Sequence, residues 1–384
     1  MKTMVRNAPE LGTKGLGAHG AEKPVGQIVL VLQGGGALGA YQAGVYQALS
    51  EDGIEPDWVI GTSIGAINGA IIAGNEPASR LERLQMFWSR IGNGRFLDEA
   101  WTPSIIGNAL AGMQILAQGA PGFFQPNLQA AWSLRLPVGI EHASFYTTEP
   151  LKGTLTDLVD FDYINHKRMR FTVGAVNART GSMRYFDCRD TKVGLDHVMA
   201  SGALPPGFPA VRIDGEPYWD GGLYSNTPIE VVLDDNPRRD SLIFAVNMWH
   251  SRGAEPKSIW QVLGRQKDIQ YASRAESHIA RQEQIHRLRH VIRELAKRIP
   301  ADQRDDPEVQ ELAEYGCRTT MHLVRLLAPR LDHEDHTKDI DFTRAGIRTR
   351  WQAGYAHTQQ VLERKPWRRD LDPLQAVVVH ESDK

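Results

Sequence analysis

Residues 27–39 and 58–65 read QIVLVLQGGGALG and WVIGTSIG, and these two stretches decide the fold. In each, a short apolar run ends at a glycine-rich turn that a helix-compatible segment follows. A strand, a tight turn and a helix in that order direct backbone N–H groups and the positive end of the helix dipole toward one place. We therefore expect two strand–turn–helix units of an α/β domain, with their glycine turns facing each other.

The second turn, Gly61-Thr62-Ser63-Ile64-Gly65, has the G-x-S-x-G pattern of a nucleophilic serine. Glycines in such a turn permit the backbone that lifts a serine out of the sheet. We expect Ser63 to attack an acyl carbon and the turn Gly34-Gly35-Gly36 to hold the resulting oxyanion. The glycines Gly39, Gly61 and Gly65 would support these two turns.

Residues 34–39 also match G-x-G-x-x-G, the fingerprint of dinucleotide-binding turns. That fold requires an acidic residue at the end of the next strand to bind the ribose. The corresponding place holds Gly61, Thr62 and Ser63, which offer no carboxylate. A nucleotide site and a purely structural glycine turn are therefore the weaker interpretations.

Two residues are candidates for the base that activates the serine. Asp220 follows Tyr218-Trp219 and precedes Gly221 and Gly222, so its carboxylate is expected on a tight turn beside apolar surface. Burial of that kind raises the proton affinity of a carboxylate toward that of a general base. The alternative for Asp220 is that it only stabilises its own turn. Among the histidines, His250 is the best alternative base, because it follows a predicted strand.

Composition limits the function classes. The 384 residues carry 44 basic and 46 acidic side chains, and a net charge of −2 gives no indication of nucleic-acid binding. Two cysteines do not form a disulfide framework, which is typical of a reducing compartment. No run of about 18 apolar residues predicts a membrane span. We expect a cytoplasmic protein, with peripheral membrane contact left open.

The chain divides into three predicted regions. Residues 1–26 lack the apolar segment of a signal peptide and are expected to be a flexible leader. Residues 27–250 form the predicted catalytic domain, and residues 101–137 are an apolar insertion that is either a lid or ordinary core. Residues 251–384 are predicted to be a mainly helical extension packed on the catalytic domain.

Two features of this extension have alternative interpretations. The stretch His333-Glu334-Asp335-His336 has metal-like spacing, but a solvated acidic loop is the preferred interpretation, so no metal is predicted. Residues 281–297 predict an amphipathic helix whose apolar stripe contains Ile285, Leu288, Ile292, Leu295 and Ile299. Its basic face is expected to be solvated, with contact to anionic lipid or to a partner helix as the alternative.

Three ordered motifs resemble the signatures of the patatin-like phospholipases: GGGALG at 34–39, GTSIG at 61–65 and DGG at 220–222. The proline-rich loop at 201–209 is also similar to that family. The resemblance covers residues 27–247, and the region beyond 255 resembles the extra region of a bacterial subgroup. One departure is Leu38, where the family commonly has Arg or Lys.

The resemblance implies an α/β/α sandwich with a mostly parallel sheet and a Ser63–Asp220 dyad that acts without histidine. It further implies hydrolysis of acyl esters of lipids without a cofactor, on a lipid or acyl-ester substrate. The missing cation at Leu38 weakens the expectation of a strict phospholipid preference. The alternatives are an esterase or thioesterase for short acyl substrates, and a binding protein without catalysis.

Overall fold

A mostly parallel sheet forms the centre of the computed structural model, which describes residues 26–92, 115–130, 136–166, 168–317, 319–331, 334–368 and 376–381. The strands, numbered along the chain, are β1 (Gln27–Leu32), β2 (Trp58–Gly61), β3 (Gln125–Pro126), β4 (Tyr146–Thr147), β5 (Arg170–Asn177), β6 (Met183–Asp187), β7 (Val211–Ile213), β8 (Glu216–Asp220), β9 (Ser241–Asn247), β10 (Met321–Leu327) and β11 (Val377–Glu381). Their order in the main sheet is β11-β10-β9-β1-β2-β5-β8-β7, with β6 also paired to β5. Strands β1, β2, β5, β9, β10 and β11 pair in parallel, whereas β6, β7 and β8 pair antiparallel.

Helices cover both faces of this sheet. They are α1 (Ala40–Glu51), α2 (Ile64–Ala73), α3 (Pro77–Gly92), α4 (Glu149–Leu158), α5 (Phe161–Asn165), α6 (Leu195–Ser201), α7 (Glu230–Leu233), α8 (Ile259–Lys297), α9 (Pro307–Glu314) and α10 (Arg344–Arg364). Leu30 and Leu32 point into a core shared with α1, α2 and α3, and Val29 and Val31 point into a second core with α7 and α8. This alternation follows from the two-residue period of a strand. The predicted α/β fold with flanking helices is confirmed.

The apolar composition of α2 matches its position. All ten residues of this helix are buried, as its nearly unbroken run of small and apolar residues predicted. The helix begins directly after Ser63, so the core that buries α2 also fixes the serine turn.

The region after residue 250 contributes strands as well as helices. Strand β10 pairs with β9, and β11 pairs with β10, so this region continues the catalytic sheet. Helix α10 packs against α1, where the Trp351 Nε1 donates to Gln47 Oε1 at 2.6 Å. The mainly helical extension predicted for residues 251–384 therefore has a sheet component that the sequence prediction understated.

The predicted inward face of residues 281–297 is wrong for Leu288 and Leu295, whereas Ile285, Ile292 and Ile299 of the same stripe are half-buried. Leu288 and Leu295 of the expected buried stripe are more than half exposed, whereas His286 and His290 are buried. The two histidines bond to the Leu233 and Thr319 carbonyl oxygens at 2.9 and 3.0 Å. The inward face of α8 therefore combines these hydrogen bonds to backbone carbonyls with apolar burial of Ile279.

The described part of residues 101–137 contains core residues. Phe123 and Phe124 are buried and pack against Phe208 and Phe342, with ring centroids 5.3–6.3 Å apart. Residues 101–114 and 131–135, on which the lid interpretation mainly depends, lie outside the described residues, as do residues 1–25 of the predicted leader.

Candidate active site

The serine turn lies at the carboxyl end of β2. Ser63 has φ 55° and ψ −125°, a positive-φ conformation that residues other than glycine rarely adopt. Its N–H donates to the Ser201 Oγ at 3.0 Å, which holds the turn against the end of α6. Such a backbone conformation persists only where the surrounding structure determines it, and it is common at functional sites.

Strand register brings Asp220 to the same level as Ser63. Gly61 pairs with Val173 of β5, and Asp220 pairs with Ala175, two residues further along the same strand. Ser63 lies two residues beyond Gly61, so β5 aligns the two side chains across its width. The Ser63 hydroxyl comes close enough to the Asp220 carboxyl group to lower the pKa of that group as a hydrogen-bond donor. Ser63 and Asp220, far apart in the sequence, therefore lie close together in the structure.

The Asp220 carboxyl group is almost completely buried. Burial raises its pKa from 3.8 to about 7, while hydrogen bonds from Ser63 and the Gly222 N–H oppose the rise. The Gly222 N–H donates to Asp220 Oδ1 at 2.7 Å, and the Asp220 N–H donates to the Ala203 carbonyl at 3.0 Å. No cation among the described residues contributes to this pKa. A carboxylate with a pKa near neutrality suits a general base.

The other candidate base, His250, has different partners. Burial, followed by the charges of Arg330 and Lys338, lowers its pKa, and its ring bonds to the backbone of Ala328. Ser63 is not among the described partners of this imidazole. The geometry therefore favours Asp220 over His250 as the neighbour of Ser63.

The glycine turn after β1 approaches Ser63 through Gly34 and contains two N–H groups that could serve as donors. The Gly34 N–H already donates to the Asn226 carbonyl at 3.1 Å, so it does not fit the predicted oxyanion role. Within the described part of the chain, no partner is found for the N–H groups of Gly35 and Gly36. A Cβ on Gly34 would lie 3.0 Å from the Ser63 Cβ, which shows how closely the two turns approach. Of the three N–H groups predicted to bind the oxyanion, those of Gly35 and Gly36 therefore stay candidates.

Close packing surrounds the other motif glycines. An added Cβ at any of them would lie only 2.2–2.8 Å from a neighbouring heavy atom, a separation that real Cβ atoms do not show; these residues are Gly39, Gly61, Gly65, Gly221 and Gly222. Leu38, the position that departs from the family pattern, is buried in the main core. The glycines therefore serve the close approach of the backbones that carry the site.

Three polar side chains that the sequence prediction missed hold the glycine turn. The Gly34 carbonyl accepts hydrogen bonds from Trp249 Nε1 at 2.8 Å and from Asn226 Nδ2 at 3.1 Å. Gln33, fully buried, accepts the Trp249 N–H through Oε1 at 3.2 Å. Gln33 directly follows β1 and Trp249 lies two residues after β9, and side chains just past the carboxyl ends of parallel strands are positioned to meet. That rule could have identified both residues.

The region after residue 250 also reaches the site. The Asp339 carbonyl accepts the Ala37 N–H at 2.8 Å, and the Asp339 carboxylate pairs with Lys267 Nζ at 2.7 Å. Gly36 has φ +56°, and a Cβ there would lie 2.2 Å from the Asp339 carbonyl oxygen. The Tyr271 ring lies 5.0 Å from that of Trp249. Burial, then the charge of Asp220, raises the pKa of Tyr271 to about 12.

The stretch around Glu334 forms ordinary structural contacts. The Asp335 carboxylate accepts the Thr337 N–H at 2.7 Å, and the His336 ring stacks on Trp260 at 4.3 Å. His333 lies outside the described residues. The described residues contain no cluster of three or more metal-ligating side chains. None of the described helices has the length and apolar character that crossing a bilayer requires.

Two family models match this chain. One, described as "Patatin-like phospholipase", matches residues 30–233, more than half of the chain. The other, described as "Patatin phospholipase", matches residues 269–374. The first spans both glycine turns, Ser63 and Asp220, and the second spans most of α8 together with β10 and α10.

Curated relatives are similar over parts of the chain. Patatin-like phospholipase domain-containing protein 6 of Homo sapiens is 46% identical over 63 residues, which cover 16% of this chain and 5% of that protein. Lysophospholipase NTE1 of Cryptococcus neoformans is 29% identical over 225 residues, which cover 57% of this chain and 11% of that protein. The chain thus corresponds to only a small part of the length of these relatives.

One solved structure, VipD from Legionella pneumophila, is similar over 89% of this chain and 67% of its own chain. The sequence identity is 14%, and the TM-score is 0.41.

Proposed function

This chain belongs to the patatin-like phospholipase family, and we propose that it is a serine acyl-hydrolase that cleaves carboxylic ester bonds of lipids. One observation carries the proposal: a buried carboxyl group, whose pKa burial raises to about 7, lies beside the hydroxyl of a serine that has a positive φ in a strand-to-helix turn. The relatives named lysophospholipases support lipid esters as the substrate class.

In the proposed reaction, Asp220 accepts the proton of the Ser63 hydroxyl as its Oγ attacks the ester carbonyl carbon. The carbonyl oxygen becomes negatively charged, and the N–H groups of Gly35 and Gly36 stabilise it. A single donor of this kind is typically worth about 2.7–4 kcal/mol of barrier. When the tetrahedral intermediate collapses, the bond to the alcohol breaks and Asp220 returns the proton to the leaving oxygen.

The acyl group then remains on Ser63 as an ester. Water attacks this ester while Asp220 accepts a proton from the water, and the same two amides stabilise the second oxyanion. Collapse releases the carboxylic acid and restores the Ser63 hydroxyl with the proton held by Asp220. Acylation and deacylation therefore use the same two side chains, those of Ser63 and Asp220.

The test compares the wild-type chain with Ser63→Ala. We expect a fluorophosphonate to label the wild type covalently and to leave Ser63→Ala unlabelled, while both proteins retain the same melting temperature. Hydrolysis of p-nitrophenyl butyrate, p-nitrophenyl palmitate, lysophosphatidylcholine and phosphatidylcholine should be lost in the variant.

Folded wild-type protein that no fluorophosphonate labels would favour a binding protein over an enzyme. Turnover of p-nitrophenyl butyrate without hydrolysis of palmitoyl or phospholipid esters would favour a soluble short-chain esterase. Equal labelling in Ser63→Ala would assign the nucleophile to another residue.

A further inference from the structure

The first turn of α8 presents an exposed apolar surface. Ile259, Trp260, Val262 and Leu263, which we call the apolar turn, are 77%, 58%, 50% and 38% exposed. Ser258 caps the helix by accepting the Gln261 N–H at 3.3 Å, so the first helical turn is formed although its side chains are exposed. Residues three and four apart share one face of a helix, and the apolar turn therefore forms a continuous surface.

Basic side chains flank the apolar turn. Arg265 donates to the His250 and Ser251 carbonyls at 2.9 and 2.5 Å, and Arg330 donates to the Arg252 carbonyl at 2.6 Å. These bonds bring both guanidinium groups to residues 250–252, next to the start of α8. Because carbonyl oxygens carry no net charge, the positive charges of the two arginines remain.

Exposed Arg252 and Lys257 add two further positive charges, and the exposed Glu255 and Glu276 add two negative charges. Glu276 accepts the Ser251 hydroxyl at 2.7 Å and lies 3.7 Å from Arg325. In the described parts of the chain, none of the four basic side chains forms an ion pair with a carboxylate. The surface therefore combines exposed apolar groups, one of them Trp260, which stacks on His336, with a net positive charge. Tryptophan is favoured where apolar surface meets water at a membrane, and Lys and Arg favour anionic headgroups.

The same helix connects this surface to the site. Tyr271 lies eight residues after Leu263, about 12 Å along the helix axis. Its ring packs against Trp249, whose indole N–H holds the Gly34 carbonyl. A bilayer touching the apolar turn would thus lie a few turns of one helix from the glycine turn.

We propose that the apolar turn and its flanking cations dock this protein on an anionic lipid surface. The chemistry of an anionic bilayer complements both features: the acyl region accepts the apolar side chains, and the headgroups face the cations. This inference rests on the proposed function, because it names the form in which a lipid substrate is presented to Ser63.

The experiment measures sedimentation of the full chain with vesicles of phosphatidylcholine, with and without phosphatidylglycerol. We expect binding that strengthens with phosphatidylglycerol and weakens with salt. The variants Trp260→Ser and Ile259→Ser/Leu263→Ser should each bind these vesicles at least about tenfold more weakly. Arg252→Gln/Lys257→Gln should lose the gain from phosphatidylglycerol. Turnover of dissolved p-nitrophenyl butyrate should be unchanged in all three.

Leu288→Ser/Leu295→Ser is the matched control. These leucines are 57% and 58% exposed on the same helix, but begin about 26 Å along the axis beyond Tyr271. We expect wild-type vesicle binding from this control. An equal loss in the control, or wild-type binding by the apolar-turn variants, would overturn the assignment.

Light scattering separates a second copy of the chain from a membrane as the occupant of this surface. A wild-type dimer that the apolar-turn variants convert to a monomer, without vesicle binding by either, would overturn the proposal in favour of self-association. Because sedimentation requires no catalysis, vesicle binding is measured even if Ser63 proves unreactive. A failure of the proposed function and a failure of this inference therefore give different results.

Discussion

Asp235, which is partly buried, and Asp220, which is buried, lie near the amino and carboxyl ends of the strands of the central sheet, which we call its amino edge and carboxyl edge, and they have opposite electrostatic environments. At the amino edge, Asp235 pairs with Arg170 at 2.8 Å, and Asp187 pairs with the same guanidinium at 2.7 Å. Burial alone would raise the pKa of Asp235, but the hydrogen bonds and charge of Arg170, with Arg189, lower it. At the carboxyl edge, Asp220 is buried without a cation and its pKa rises to about 7.

The difference teaches what each aspartate is suited to do. A carboxylate held by a cation is ionised at all ordinary pH values and cannot readily take up a proton, so it suits a structural role. A carboxyl group buried beside a hydroxyl exchanges its proton near neutrality. The ion pairs at the amino edge therefore stabilise the fold. At the carboxyl edge, burial destabilises the ionised form of Asp220, so this carboxylate can accept a proton near neutral pH.

Asp220→Asn should produce the largest effect on turnover. The amide cannot accept the Ser63 proton, and we expect kcat to fall by about 10²–10⁴-fold. Asn still offers a carbonyl oxygen to the Gly222 N–H, so the turn should persist. Near-wild-type turnover by a folded variant would transfer the role of base to another group such as His250.

The same variant should be more stable than the wild type at pH 8. The folded-state pKa of Asp220 is raised, so this group contributes its stability below pH 3.8 and loses it as the pH rises to about 7. Removing the charge should therefore recover up to about 4 kcal/mol at pH 8, and the difference should fade toward pH 4. Urea unfolding at both pH values measures this.

Arg170→Met tests the amino edge and should act on stability rather than chemistry. Removing the cation leaves the buried Asp187 without an ion pair and Asp235 with only Arg189 at 3.2 Å, so we expect a loss of about 3 kcal/mol in the free energy of unfolding. Arg179→Met is the control, since its pair with Glu216 is exposed and is worth less than about 1 kcal/mol. Activity per labelled Ser63 should stay at the wild-type level in both. A selective fall in that activity for Arg170→Met would mean that the two edges are coupled.

The pH dependence of fluorophosphonate labelling should give the smallest effect. Asp220 must be deprotonated to accept the serine proton, so the labelling rate should rise about tenfold per pH unit and level off above about pH 7. The measurement is the initial labelling rate of the wild type at constant ionic strength. A plateau already reached near pH 5 would contradict a buried, cation-free base.

The sequence predicted those parts of the site that depend on neighbouring residues. The glycine turns and Ser63 were identifiable because strand, turn and helix follow each other within a few residues. Lys267 and Asp339 gave no such signal, because their part in the site depends on contacts across the tertiary structure. The apolar stripe at 285–299 was only partly predictive: Leu288 and Leu295 are exposed, while buried His286 and His290, which no apolar pattern marks, face inward.

By itself, the sequence determined the two strand–turn–helix units and the chemistry available at Ser63 and Asp220. Only the tertiary structure decided that these two residues meet, because the register of β5 with β2 and β8 sets their common level. It also decided the proton affinity of Asp220. Burial without a cation is a property of everything packed around the carboxyl group, and no local pattern of residues contains it.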